Sequence, residues 1–421
     1  MKNDKVKRNY LVVGLVFLIF FVISLLTNIL GPLVPDIIDS FKLSLALAGF
    51  LPTSFFIAYG VMSIPAGMLI ERFSAKAVMV AAFVLAFLGS VLFVSKPVYA
   101  VALFSLFTIG IGMAMLQVAI NPLLRVSGGE ENFAFFGVMA QLIFGLASFI
   151  SPHIYSYLVQ HLKAGAAQNA IVRSLAKVVP ASLPWISLYW LFTIVTLVMV
   201  VVLLLAKLPR VELKEEERAG TLKTHQALLK NRAVLLFFVG IFCYVGTEQG
   251  VSNWISKFLQ IYHGIDPTVK GATAVAGFWG LMTVGCAVGL IFLKLFDSRR
   301  VLSVAGFFAM VTLTLALFGP KGVSLFAFPM IGFFASVMWS IIFSLALNSV
   351  TSHHGSFSGI LCTGIIGGAV LPPVIGKLGD LFGLRLGMMV LYLTLGYIIS
   401  IGFWARPLIL NATIRSKKKT P

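Results

Sequence analysis

The residues best suited to chemistry lie in one apolar stretch, positions 241–257, which reads IFCYVGTEQGVSNWISK. It contains Glu248, Gln249, Ser252 and Asn253. A carboxylate inside a membrane helix costs about 2.5–3.5 kcal/mol on insertion scales, so it must be paired, hydrated or protonated. A buried carboxyl group readily gains or loses a proton, and it can also bind a cation. We therefore expect Glu248 to couple the protein to an ion, either H⁺ or Na⁺, and we predict no other metal site and no cofactor.

The composition predicts that helices spanning a lipid bilayer must position this group. Hydrophobic residues make up 59% of the 421 positions and charged residues only 11%, whereas soluble domains have about 25% charged residues. The three cysteines all lie in apolar runs and support neither disulfides nor a metal site. The net charge of +18 comes from basic residues at the ends of apolar runs. Membrane topology explains that charge, so we expect no nucleic-acid partner.

Twelve apolar segments are long enough to span a bilayer, which takes about 20 helical residues. Glu248 is the only one of the 14 acidic residues that falls inside them. With a cytoplasmic N-terminus, 22 of the 32 Lys and Arg residues lie on the inner side, as the positive-inside rule requires. We therefore predict a multi-pass protein of the cytoplasmic (inner) membrane with both termini in the cytoplasm. The predicted segments are 10–35, 45–66, 76–95, 99–123, 133–159, 184–206, 233–257, 272–293, 301–319, 323–347, 357–375 and 386–405.

The chain divides into two similar halves. The charged connection 207–232 separates an N-terminal bundle, 1–206, from a C-terminal bundle with its tail, 233–421. QVAINPLLRVSG at 117–128 and SLALNSVTSHHG at 344–355 align with a constant offset of 227 residues. The predicted fold is an all-α polytopic membrane protein with twelve transmembrane helices in two pseudo-symmetric six-helix bundles. Such repeats place a substrate site between the halves.

Amide side chains occur on several of the predicted helices. One interpretation is helix-to-helix hydrogen bonding, which contributes about 0.6 kcal/mol on average. The other is a shared hydrated cavity, and amides, which both donate and accept, favour a small neutral polyhydroxylated solute. Trp279 offers an apolar face for a sugar ring. We expect a monomer whose substrate contacts are Asn28, Gln117, Asn121, Gln141, Gln249, Asn253 and Trp279.

One turn of the sequence resembles the cytoplasmic signature of the major facilitator superfamily. This turn, GMLIERFSAK at Gly67–Lys76, has Glu71 where the signature has an aspartate, followed by Arg72. GKLGDLFGLR at 376–385 is a looser match in the second half. The resemblance implies that Gly67, Glu71 and Arg72 form a cytoplasmic gating motif.

Further fragments resemble the fucose permease branch, the fucose, galactose and glucose transporters of that superfamily. This resemblance implies alternating access and sugar uptake with a co-transported cation. The fragments are TNILGPLVP at 27–35, SIPAG at 63–67, QVAINP at 117–122, FCYVG at 242–246, IFSLAL at 342–347 and IIGGAVLPPVIG at 365–376.

Several positions depart from the fucose permease. The matching positions of two acids in that permease are Gly31 and Gln117 here, and an asparagine of its fifth segment is Phe144. Gln141 agrees with the branch, whereas Glu248 stands where the fucose permease has glutamine. If any group titrates, the resemblance leaves that role to Glu248.

Two other classes of protein remain as alternatives. An exporter of drugs or small metabolites on the same fold would use an intramembrane acid, and 37 Phe and 14 Met residues could line an adaptable pocket. A membrane receptor or enzyme would need no transport path. HExxH, GxSxG, Walker A and GxGxxG motifs do not occur in the sequence, so we predict that the protein is not an enzyme.

Overall fold

The computed structural model describes residues 9–129, 133–163, 170–209, 222–350 and 354–408, and throughout these ranges the regular structure is helical. The helices of the first half are α1 (Tyr10–Thr27), α2 (Leu30–Phe41), α3 (Leu45–Arg72), α4 (Ala75–Ser95), α5 (Tyr99–Gly128), α6 (Phe133–Lys163), α7 (Ala170–Val178) and α8 (Ser187–Leu205). The helices of the second half are α9 (Leu222–Leu229), α10 (Arg232–Ser252), α11 (Ile255–His263), α12 (Ala272–Leu295), α13 (Ser298–Phe318), α14 (Lys321–Ala335), α15 (Met338–Leu347), α16 (His354–Thr363), α17 (Gly367–Phe382), α18 (Leu384–Met388) and α19 (Leu391–Trp404).

Twelve spans in the described residues are long and apolar enough to cross a membrane, which confirms the predicted number. Some spans are longer than predicted. The first runs Tyr10–Phe41 and includes Asp36 and Asp39, and the eleventh runs Phe357–Phe382 and includes Asp380. Glu248 is therefore not the only acid within a span. The other three lie near span ends, because helices continue past the apolar core that hydropathy detects.

The first span is broken near its middle, and the seventh ends at a break between two helices. The first is interrupted between α1 and α2 at Asn28 and Ile29, where Pro32 has no N–H to offer the Asn28 carbonyl. The seventh span, Arg232–Ser252, ends where Asn253 and Trp254 separate α10 from α11. Here the side-chain amide of Asn253 donates to the Gln249 carbonyl (2.8 Å), which also accepts from the backbone N–H of Asn253 (3.1 Å).

The buried apolar side chains form two cores. One core is built almost entirely from residues between Val12 and Leu203, and the other from residues between Leu228 and Ala405. This division follows the two predicted halves of the chain. The exact bundle boundaries at 206 and 233 stay predictions.

The two bundles meet tightly at one end of the molecule, which we call the closed end. It contains the end of α2, the start of α3, helix α11 and the end of α17. Both oxygens of the Asp380 carboxylate accept hydrogen bonds from the start of α3, from Leu45 N (2.8 Å) and Ala46 N (2.9 Å). Lys257 pairs with Asp39 across the bundles at 3.7 Å. The closed end is therefore held by polar contacts between the halves.

Glycine allows the closest approach between the first and seventh spans. A Cβ atom on Gly31 would collide with the backbone carbonyl of Ser252, at the end of the seventh span. Any side chain at position 31 would push these two spans apart. The closed end therefore requires the missing side chain.

Candidate transport site

A chain of hydrogen bonds runs along the seventh span. The Tyr244 hydroxyl donates to Glu248 Oε2 (2.6 Å), and Gln249 Nε2 donates to Glu248 Oε1 (3.0 Å). Asn253 Nδ2 donates to Gln249 Oε1 (3.1 Å). Three of the predicted site residues, Glu248, Gln249 and Asn253, are thus brought together in one network.

The backbone fixes the direction of these bonds. A backbone carbonyl can only accept, so the atom of Asn253 that faces the Gln249 carbonyl must be its NH₂ group. The same NH₂ group faces the side chain of Gln249, which must present its oxygen there. The NH₂ group of Gln249 therefore points at Glu248. The carboxylate receives donors from two sides, one of them set by the backbone.

Glu248 is connected through Tyr244 and Trp339 to a cavity. Its side chain is only partly buried, whereas Tyr244, Gln249 and Asn253 are buried. The ring of Tyr244 packs against that of Trp339, with centroids 6.0 Å apart. Trp339 belongs to one face of α15 that lines a cavity of about 390 Å³, together with Ser340, Phe343, Ser344, Leu347 and Asn348. Tyr244 thus lies between the acid and the cavity wall.

Asn28 is used in packing between the first and fifth spans. It is buried, and its Nδ2 donates to Ser148 Oγ (2.8 Å). Ser148 Oγ also lies 2.6 Å from Ser24 Oγ. This geometry matches helix-to-helix hydrogen bonding, the alternative that the sequence left open for each amide.

Three other predicted amides lie on the fourth and fifth spans. Asn121 and Gln141 are exposed and Gln117 is partly exposed. The amide of Asn121 makes a long contact of 3.4 Å with the Gln117 carbonyl. The matching residue of the second half, Asn348, makes a 3.4 Å contact with Ser344. Each asparagine thus contacts the residue four positions earlier, but the acceptor is a backbone carbonyl in the first half and a hydroxyl in the second.

Trp279 lies on the inner face of α12. One turn earlier, Val275 faces Gly31 of the first span, and one turn later, Thr283 faces Gly145 of the fifth. The Trp279 side chain is buried, and its indole N–H has no hydrogen-bond partner within the described chain. A buried donor without a partner is costly, so a ligand oxygen would satisfy it.

The predicted gating motif lies apart from these residues, at the end of α3 opposite the closed end. Gly67 is partly buried, and Arg72 is exposed with its guanidinium 5.5 Å from the Phe73 ring. The side chain of Glu71 lies outside the described residues. The structure therefore leaves the gating role of this motif as a prediction.

Sequence reasoning missed three residues that the structure connects to the site or its closure: Tyr244, Trp339 and Asp380. Tyr244 precedes Glu248 by four residues, so helical spacing already places the two on one face. Asp380 had no such signal, because its partners lie 335 and 334 positions away in the chain.

Two six-helix bundles around a partly buried acid and an open cavity define a class of protein, the polytopic membrane transporters. The chain belongs to the Major Facilitator Superfamily, whose family model matches residues 16–365. This confirms the predicted fold, the resemblance of the signature turn and the prediction of a transporter rather than an enzyme.

The chain is also similar over most of its length to named transporters. It is 32% identical over 394 residues to the glucose/galactose transporter of Brucella abortus (strain 9-941), covering 91% of this chain and 92% of the relative. It is 25% identical over 410 residues to the L-fucose-proton symporter of Escherichia coli (strain K12), covering 91% and 90%. A crystal structure of the E. coli fucose:proton symporter FucP superposes with a TM-score of 0.65 at 23% identity, covering 94% and 98%. These matches confirm the resemblance to the fucose permease branch.

Proposed function

We propose that this protein is a secondary active transporter that carries a neutral hexose or deoxyhexose across the cytoplasmic membrane together with a proton. Alternating access moves the sugar between the two bundles. The observation that carries the proposal is the position of Glu248. This acid lies on the seventh span, is part of a chain of hydrogen bonds, is only partly buried and is connected through Tyr244 to Trp339 in the cavity wall.

The chemistry of the predicted site supports a neutral, hydroxyl-rich substrate. Apart from Glu248, the predicted contacts are amides and one indole, which match hydroxyl groups that both donate and accept. Gln117 and Gln141 have no side-chain hydrogen bond within the described ranges and so have free capacity. The relatives named for glucose, galactose and fucose transport support the same substrate class.

The donor set around Glu248 supports H⁺ as the coupling ion over Na⁺. A hard cation needs several oxygen ligands. Both direct partners of the carboxylate present hydrogens to it, since Tyr244 and Gln249 each donate. Gln249 cannot turn its oxygen toward Glu248 without losing its bond from Asn253. The relative named a fucose-proton symporter agrees with this choice.

The predicted topology indicates which end of the molecule faces each side of the membrane. With both termini in the cytoplasm, the closed end faces outward and the cavity opens inward. The units 1–206 and 233–421 then act as the moving bundles, joined by the linker 207–232, and one monomer contains the whole site. Opening to the outside requires Asp380 to leave the start of α3 and Lys257 to leave Asp39.

The exporter of drugs or small metabolites is the weaker alternative. The same fold serves it, but the reported relatives are named as sugar transporters. If expression of the protein confers resistance to cationic dyes without sugar uptake, the exporter becomes the favoured function.

The test is uptake of labelled glucose, galactose and fucose into proteoliposomes with an imposed proton gradient, an imposed Na⁺ gradient, or neither. We expect accumulation of at least one sugar against its gradient only when the proton gradient is present. Glu248→Gln should abolish accumulation but preserve sugar exchange, because the amide keeps the size of the side chain and cannot carry the proton.

Asp297→Asn is the matched control. Asp297 is also an acid at a helix, but it caps α13 through Arg299 N (2.8 Å) within a single bundle, so its neutralisation should leave accumulation unchanged. Accumulation by Glu248→Gln at the wild-type level would remove Glu248 from coupling. Accumulation driven by Na⁺ alone would refute the choice of ion.

A further inference from the structure

We propose that Tyr244 is the positioning residue that sets the protonation of Glu248 and connects it to the cavity wall. This inference rests on the proposed proton-coupled function and assigns a role to a residue that the sequence fragments left without one. It is carried by the hydrogen bond from Tyr244 to Glu248 and by the contact of the same ring with Trp339.

Tyr244 is the adjustable partner of the acid. The other direct partner, Gln249, is held as a donor by its bond from Asn253. A tyrosine hydroxyl, by contrast, can donate to one group or accept from another by rotating about its C–O bond. The hydroxyl can therefore follow the protonation state of Glu248, whereas the amide cannot.

The exchange can be written with every proton accounted for. In the ionised state, the Tyr244 O–H donates to Glu248 Oε2. When a hydronium ion in the cavity gives its proton to Oε2 and becomes water, the new carboxyl O–H donates to the tyrosine oxygen. The tyrosine hydrogen then turns away from the acid, and Tyr244 stays neutral throughout. Loss of the proton to water restores the first arrangement.

Among the described residues, few other titratable groups lie near Glu248 and Tyr244. Glu248 forms no ion pair among the described residues, and the neighbouring titratable group on α12 is the thiol of Cys286. Trp339 on α15 packs against the Tyr244 ring and also lines the cavity. A sugar that moves Trp339 would therefore move the donor of Glu248, which couples occupancy of the cavity to protonation.

The test is the pH dependence of proton-driven sugar uptake by Tyr244→Phe in proteoliposomes. Removing the O–H takes away a bond that stabilises the ionised carboxylate, so protonation becomes easier. We expect the pH of half-maximal uptake to move upward by about one to two units, while sugar exchange without a gradient is retained. Tyr189→Phe is the matched control, since the Tyr189 hydroxyl is buried and makes no hydrogen bond in the described chain; its pH profile should equal that of the wild type.

Two further measurements keep the proposal open to refutation. In a Glu248→Gln background, Tyr244→Phe should have no effect on the pH profile of exchange, because the titrating group is gone. If Tyr244→Phe fails to fold, 3-fluorotyrosine at position 244 supplies a stronger donor of the same shape, and the profile should move downward.

The outcomes separate this inference from the proposed function. A wild-type protein without proton-driven accumulation would refute the proposed function. A wild-type protein that accumulates sugar, together with a Tyr244→Phe variant of unchanged pH profile, would overturn the role of Tyr244 alone. An unchanged profile with fluorotyrosine would overturn it in the same way.

Discussion

Removal of the Asp380 carboxylate should release the closed end of the transporter. The first four N–H groups of a helix have no partner within the helix. The N–H groups at the start of α3, from Leu45 onward, therefore need other acceptors. Leu45 N and Ala46 N donate to Asp380 of the other bundle, while Leu47 N donates to Ser44 Oγ (3.2 Å) in its own loop. Half of the first turn is thus capped by a residue that must move away when the closed end opens.

The size of the effect follows from this geometry. Asp380→Ala removes both acceptors, and loss of a helix cap costs about 0.5–2 kcal/mol. Asp380 is exposed, so water replaces part of the loss when the bonds break. We therefore expect a shift of about 0.5–1.5 kcal/mol, which changes the ratio of closed to open molecules about 2- to 13-fold. Asp380→Asn, which keeps one acceptor oxygen, should give an intermediate shift.

The assay is a distance measurement between spin labels at Val98 and Lys321, exposed positions in the two bundles, in a variant without native cysteines. Asp380→Ala should transfer population to the longer distance. Asp297→Ala removes a similar cap that lies within one bundle, so it should leave the distribution unchanged. Equal distributions for Asp380→Ala and wild type would show that this cap does not hold the closed end. Equal shifts for both variants would show a general loss of stability instead.

Two other substitutions test the contacts between spans. Gly31→Ala should lower the closed population and slow uptake, because its Cβ would collide with the Ser252 carbonyl; sugar binding that falls as much as uptake would instead indicate misfolding. Trp279→Phe keeps an aromatic ring but removes the unpaired indole N–H, so it should raise KM about fivefold, near the 1 kcal/mol of a typical hydrogen bond, with little change in maximal rate. An unchanged KM would remove that N–H from the substrate site.

The sequence determined the number of spans and the class of fold because hydropathy acts locally. A run of about 20 apolar residues must be helical in lipid, where backbone groups have no water to bond. The offset of 227 residues between the fragments at Asn121 and Asn348 predicted the two halves, and the buried apolar side chains divide into two cores that follow them. Spacing within one helix also placed Gln249 and Asn253 together.

The sequence could not assign partners across helices. Asn28 is predicted as a substrate contact, and only the structure shows that its amide donates to Ser148, 120 positions away. Gly246 and Gly250 form a GxxxG pattern, which is typical of close helix packing, but only the structure shows that they pack against Leu371 and Ile375. In each case the choice depends on which face of a neighbouring helix approaches.

The sequence by itself thus determined a twelve-span transporter with an acid on its seventh span. Only the tertiary structure decided that Tyr244 and Gln249 both donate to that acid, that Trp339 joins it to a cavity, and that Asp380 closes the opposite end. The physical reason is one of range. The cost of burying polar backbone in lipid is felt within a single segment, whereas hydrogen-bond partners are set by the rotation and approach of helices hundreds of residues apart.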